Sequence, residues 1–172
     1  MNYPASHSPA TAPGEIGWEV RPARTDDVPA VAAAVAALLT ELGGTPPARA
    51  AIESEARAHI DDPALGIVLV VAPTADDGND LIGVLTASWA RAIQVAGRLL
   101  TIEVLWTERE WRDRGVGAAL VEALAVAAAA EGAGRVEVGL PRESFPALRA
   151  TERFYLANGF ERLGPRMRRA VP

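Results

Sequence analysis

The chain has no cysteine, which removes disulfides, thiolate–zinc sites and a cysteine nucleophile and leaves the redox compartment open. It also lacks any apolar run of about 18 residues free of charge, so no membrane-spanning helix is expected. Basic residues are not in excess: 17 stand against 22 acidic ones, a net charge of −5. That balance argues against general nucleic-acid binding and suits attraction of a cationic small molecule. The N-terminus has no basic-then-apolar leader pattern, so a cytoplasmic location is the expectation. What remains is a chain of 172 residues, enough for one domain with a sizeable core.

Residues 1–17 carry Pro4, Pro9 and Pro13 among Ala, Ser and Thr without apolar periodicity, and read as a flexible tail before a single domain over 18–172. Trp18 to Arg21 is a short strand. Thr25 or Asp26 caps a helix whose Val28, Val31, Val35, Leu38, Leu39 and Leu42 recur at helical spacing until Gly43-Gly44. A second, solvated helix runs from about Pro46-Pro47 to Ile60. Ile67 to Ala72 is a buried strand by its β-branched run. Asp76-Asp77-Gly78-Asn79-Asp80 reads as a hairpin loop that returns through a strand from Leu81 to Trp89. Residues 91–98 turn the chain into a strand over Leu99–Thr107. A helix follows over Val116–Ala130, then a strand over Val136–Leu140, a helix over about Ala147–Asn158 and a last strand from Phe160. Asn158-Gly159 is a helix C-cap with Gly159 left-handed. The order β-α-α-β-β-β-α-β-α-β is a mixed α/β fold.

The segment Arg112-Asp113-Arg114-Gly115-Val116-Gly117-Ala118 lies between an apolar strand and an alanine-rich helix. Its glycines let the backbone turn tightly and approach a ligand. A helix start presents unpaired N–H groups and the positive end of its dipole, a ready anion site. Arg109, Arg112 and Arg114 add positive charge. A nucleotide-triphosphate loop would need Gly-Lys-Ser/Thr, but Gly117 is followed by Ala118 and Ala119. A dinucleotide fingerprint would need three spaced glycines early in the chain. A pyrophosphate seat and a plain helix-start turn both remain open on these residues alone.

Along the strand, strict alternation puts Leu100, Ile102, Val104 and Trp106 on one face and Leu99, Thr101, Glu103, Leu105 and Thr107 on the other. A carboxylate in such a strand is costly unless paired or functional, and partial burial would raise its pKa. Glu103 is therefore the candidate general base, with a salt bridge to an arginine at the sheet rim as the alternative. Tyr155 is the candidate acid, with Phe154 in the core beside it; ordinary aromatic packing is the alternative. His7 and His59 read as non-catalytic. Arg162, Arg166, Arg168 and Arg169 read as a solvated cluster, Trp89, Trp106 and Trp111 as packing, and Asp76, Asp77 and Asp80 as a solvated turn.

Arg112, Gly115 and Gly117 after a strand resemble the Arg-x-x-Gly-x-Gly/Ala coenzyme loop of the GNAT superfamily of N-acyltransferases. Ala150, Phe154, Tyr155, Gly159 and Phe160 resemble that family's second signature, with the tyrosine-to-Gly-Phe spacing intact. Together they cover about residues 99–161. The resemblance implies a mostly antiparallel central sheet with helices on both faces. It also implies an N-acetyltransferase that moves an acetyl group from acetyl-CoA to a primary amine by direct attack in a ternary complex. Backbone groups near Leu105 and Thr107 would hold the pantetheine arm, and N–H groups from Arg112 to Ala118 (Arg112, Asp113, Arg114, Gly115, Val116, Gly117, Ala118) the pyrophosphate. Tyr155 would protonate the sulfur, no metal is needed, and the acceptor is a small-molecule or peptide amine; the family often dimerises. Three features depart from the pattern: Leu148 stands in place of a coenzyme-contacting asparagine for which Ser144 is the nearest substitute, the segment from Pro141 to Phe145 is long, and Thr107 replaces an aliphatic residue. The rival readings are a longer acyl-CoA donor and a catalytically silent acyl-CoA sensor.

Overall fold

The computed structural model describes residues 17–74 and 80–164. The chain divides into two compact units at Val138–Gly139. In the first, β1 (Trp18–Pro22), β2 (Gly66–Pro73), β3 (Gly83–Ala92), β4 (Gly97–Thr107) and β5 (Ala133–Val138) pair in sequence order. The first four run antiparallel and β5 joins β4 in parallel. A parallel neighbour needs a crossover, which α3 (Val116–Ala130) supplies. α1 (Val28–Glu41) and α2 (Arg49–Asp61) lie between β1 and β2 in sequence.

Helices cover both faces of this sheet. Val68, Val70 and Val84 cluster with Val31 and Ala34 of α1, and Ala56 and Ile60 of α2 pack against them. On the opposite face a Cβ on Gly83 would come 2.7 Å from Val116 and 3.1 Å from Leu120. Glycine at that position lets the first turn of α3 lie directly on the sheet. β2 is buried on both faces from Gly66 to Val71, which is why it reads as an unbroken apolar run rather than an alternating one.

Before α1, Asp27 is 2% exposed and its carboxylate takes two hydrogen bonds from Arg21, at 2.7 and 2.8 Å. It also accepts from the Arg24 backbone N–H at 2.6 Å. Burial alone pushes this carboxyl up, but the guanidinium and the N–H outweigh it and hold it below the usual carboxylate range. A depressed folded value means the pair stabilises fully above the unfolded value and loses that contribution as pH falls through the folded one. Asp27→Ala is expected to cost about 3 kcal/mol at pH 7, because it leaves a partly buried cation unpaired. Urea denaturation should show that deficit shrinking below pH 4, where the intact chain loses the same pair.

The sequence expectation for β4 needs correction. Thr86 is opposite Val104 while Ala87 is opposite Ile102, so Glu103 is an extra residue, a β-bulge. The bulge exchanges the faces. Val104 and Trp106 lie opposite Thr86 and Val84 on the α1 side, whereas Ile102 and Leu100 lie opposite Ala87 and Trp89 on the α3 side. Strict alternation had placed all four on one face. β3 also begins later than expected and runs longer, and β4 begins at Gly97 rather than Leu99, so the turn into β4 shrinks to Ile93–Ala96; β5 begins three residues and ends two residues earlier than read.

The second unit carries α4 (Leu148–Ala157). Its end is a Schellman motif: the Phe160 N–H bonds the Tyr155 carbonyl at 3.1 Å and the Gly159 N–H that of Leu156 at 3.2 Å, with Gly159 at φ 83°. No strand follows among the described residues, contrary to expectation. Arg162 folds back to Glu152 at 2.7 Å and Leu163 is 69% exposed, so the segment neither alternates nor buries an apolar face. The tail over 1–16, most of the expected 76–80 hairpin loop, and Arg166, Arg168 and Arg169 lie outside the described residues.

Candidate active site

β5 pairs with β4 only as far as Ile102–Val138. Beyond that register the β5 side of β4 has no strand partner among the described residues. The Glu108 N–H donates to Ile82 at 3.0 Å, so the Gly83–Thr107 pair is not directly hydrogen-bonded and neither, two residues on, is Leu85–Leu105. The N–H and C=O groups of Leu105 and Thr107 therefore face away from β3, towards the open edge. The Thr107 carbonyl accepts from Arg112 Nε at 3.1 Å, as that direction requires. The edge offers a ladder to which an extended amide-bearing chain can bond.

The edge leads to the glycine loop. Asp113 and Gly115 both take left-handed backbone, at φ 61° and 84°, and α3 starts at Val116. Gly115 is its N-cap, and no side chain caps the helix. The Ala119 N–H is the first to be satisfied within the helix, by the Gly115 carbonyl at 3.0 Å. The N–H groups of Val116, Gly117 and Ala118 are thus left for an external acceptor. A Cβ on Gly115 would meet nothing within 4 Å, so the space above the turn is open.

The three arginines do different work. Arg112 grips the Glu41 carboxylate with both terminal nitrogens, at 2.9 and 2.7 Å, and the Thr107 carbonyl with Nε. Its hydrogen bond holds the Glu41 carboxyl below the usual carboxylate range. Arg112 therefore ties the loop to the last turn of α1 and has no fork left for a phosphate. Arg114 lies over Trp111 at 5.3 Å and is exposed, as is Arg109. We expect Glu41→Gln and Arg112→Gln to weaken binding of acetyl-CoA, the ligand that the resemblance implies for this loop, equally and non-additively, since they break one tie. Arg114→Gln should instead weaken it in a salt-dependent way. Calorimetric titration of the two single variants and the double variant at two salt concentrations separates these outcomes.

Glu103, the bulged residue, is exposed rather than partly buried as expected. Among the described residues it makes no ion pair, so its carboxylate is available. On α4 the burial order of the aromatics is reversed from expectation: Tyr155 is buried and Phe154 is half-buried. The Tyr155 ring stands edge-on to Phe154 and Phe160, each with centroids 5.2 Å away. Phe160 reaches it because the Schellman turn brings C″ over C3. Burial pushes the Tyr155 phenol up to about 12. Leu148 opens α4 half-buried, and Ser144 is exposed. His59, which the sequence marked as non-catalytic, bonds Ser88 across β2.

The sequence model of the acetyltransferase (GNAT) family matches residues 35–160. This chain is a GNAT acetyltransferase family member. No curated protein sequence matches it significantly. Solved structures share the GNAT fold at low identity. A predicted acetyltransferase of Clostridium acetobutylicum solved with acetyl-CoA has a TM-score of 0.70 at 14% identity, covering 89% of this chain and 96% of that one. An aminoglycoside acetyltransferase from an uncultured soil metagenomic sample gives 0.69 at 18% identity over 91% and 100%. Glucosamine-6-phosphate N-acetyltransferase of Arabidopsis thaliana gives 0.68 at 12% identity over 90% and 99%. Membership makes the chain an acyltransferase of mixed α/β fold. Among the described residues no helix is long and apolar enough to cross a membrane.

Proposed function

We propose that this GNAT protein transfers an acetyl group from acetyl-CoA to a primary amine of a small molecule or peptide. The observation that carries the reading is the pairing of an open, outward-bonding β4 edge with an uncapped, glycine-turned start of α3. Leu105 and Thr107 would bond the pantetheine amides. The N–H groups from Asp113 to Ala118 would receive the pyrophosphate, with Arg114 and Arg109 adding charge. Acetyl-CoA supplies an activated thioester; the chain supplies position, which is worth several kcal/mol, about 7–11 at the upper limit.

A primary amine is roughly 99.9% protonated at pH 7, so a group must take its proton before attack. Glu103 is assigned that role, directly or through one water, because it is exposed and unpaired at the bulge. Tyr155 is assigned as proton donor to the departing sulfur. Its raised phenol stays protonated across the whole range in which such an enzyme works.

Thiol release from acetyl-CoA across an amine panel tests the reading. The chain has neither cysteine nor lysine, so no thiol of its own adds background and no side-chain amine competes as acceptor. Amine-dependent release of coenzyme A is expected. Binding without release on every amine would favour a silent sensor, and faster release from succinyl- or propionyl-CoA would move the donor to a longer acyl chain.

A further inference from the structure

Across the first unit's sheet, Gly66 of β2, Ser88 of β3, Thr101 of β4 and Glu137 of β5 stand in register. Ser88 is four residues from Val84 on the same strand, so the row lies on the α1–α2 face. Elsewhere that face is apolar and closed: Val68, Val70 and Val84 are buried. Here it turns polar, and Ser88 and Thr101 remain half-exposed. The row's Thr101–Glu137 pair lies one register before the last β4–β5 pair, Ile102–Val138, and two residues from Glu103. The row therefore adjoins the edge assigned to the pantetheine arm.

The polarity of this row is set by His59. Its Nδ1 lies 2.9 Å from the Glu55 carbonyl, which can only accept, so Nδ1 carries the proton. In the neutral ring Nε2, 3.1 Å from Ser88 Oγ, then accepts, and the Ser88 hydroxyl donates to it. The absence of a Cβ on Gly66 makes room, since one there would stand 2.8 Å from the imidazole Cδ2. Ser88 Oγ is left with lone pairs only. At the other end of the row Arg135 neutralises Glu137, with which it pairs at 2.7 Å. Two acceptors thus stand at neighbouring registers on β3 and β4: Ser88 Oγ in the row and the exposed Glu103 carboxylate at the bulge beside it. They belong to neighbouring strands and differ by two residues along them, a backbone separation on the order of 8 Å.

We propose that this row is the floor of the acceptor site, and that Ser88, held by His59, selects amines carrying a second hydrogen-bond-donating group. The reacting amine sits at Glu103 and a hydroxyl or second ammonium donates to Ser88 Oγ. The proposal rests on the acyl-transfer reading above and names its acceptor class: short amino alcohols and diamines over simple alkylamines. Ser88 and His59 are positioning residues and touch no reacting atom.

Matched probes of one chain length test it: butylamine, 4-aminobutanol and 1,4-diaminobutane. The first measurement needs no turnover. The His59 ring signals followed by NMR should shift saturably with 4-aminobutanol and 1,4-diaminobutane. Butylamine at the same concentrations should leave them in place, and Ser88→Ala should abolish the response. In thiol release, Ser88→Ala should raise KM for the two bifunctional amines at least tenfold, with kcat within twofold and butylamine unaffected. His59→Gln, whose side-chain carbonyl can hold the Ser88 proton, should keep the selectivity, whereas His59→Phe should lose it. An equal His59 response to butylamine, or an equal effect of Ser88→Ala on all three amines, would overturn the proposal. A selective NMR response without thiol release would leave the amine floor standing and remove acyl transfer instead.

Discussion

Replacing Tyr155 by phenylalanine is expected to lower the rate of acyl transfer about 10²-fold while leaving acetyl-CoA affinity within a factor of two. The substitution removes one oxygen and nothing else. The ring keeps its edge-on contacts with Phe154 and Phe160, and the Schellman turn that sets them is backbone-bonded. A kinetic loss without a binding loss therefore isolates the proton. Glu103→Gln should cost a similar factor, and its exposure predicts little change in stability. If both variants turn over within threefold of the intact chain, neither residue has its assigned role.

The same phenol has a thermodynamic signature. A folded value raised to about 12 means the folded chain holds this proton where the unfolded chain, near 10, has lost it. Its contribution is present in full below pH 10 and is lost as pH rises towards the folded value. Urea unfolding of the intact chain should weaken between pH 10 and 12 by on the order of 2 kcal/mol, and Tyr155→Phe should flatten that decline.

Gly115→Glu is the second large effect. Gly115 holds φ 84°, a conformation that costs an L-residue roughly 1–2 kcal/mol. The space above it is open, so the fold tolerates the side chain sterically. What the glutamate adds is a carboxylate beside the N–H groups of Val116, Gly117 and Ala118. It would occupy the donors we assign to the pyrophosphate and repel the rest of the coenzyme. We expect acetyl-CoA affinity to fall at least 10²-fold with a stability loss of only about 1–2 kcal/mol. Calorimetry and urea denaturation on one preparation separate the two.

Much of the fold could be read from the residues because its elements follow local rules. The Val116–Ala130 helix and the Gly159 cap match their expected positions, since a glycine turn and an alanine run leave few alternatives. The bulge at Glu103 could not be read. Its signal is a register between strands, and the residues around it alternate as an unbroken strand would. Two differences at the site share that origin: strict alternation merges the faces of β4 and predicts partial burial of Glu103, whereas the bulge separates the faces and Glu103 is exposed. The loop arginines were alike in sequence, but the Arg112–Glu41 tie spans 71 residues and no local pattern announces it. The His59–Ser88 bond has no local signal for the same reason, since the two residues lie 29 apart. The spacing in Tyr155-x-x-x-Gly159-Phe160 now has a cause: it is the spacing that brings C″ onto C3.

The measurement that bears most directly on the coenzyme site is an amide NMR titration of the intact chain with acetyl-CoA. The account predicts saturable shifts centred on Leu105, Thr107 and the N–H groups from Asp113 to Ala118. Absence of saturation, or shifts that leave Val116, Gly117 and Ala118 unmoved, would contradict it.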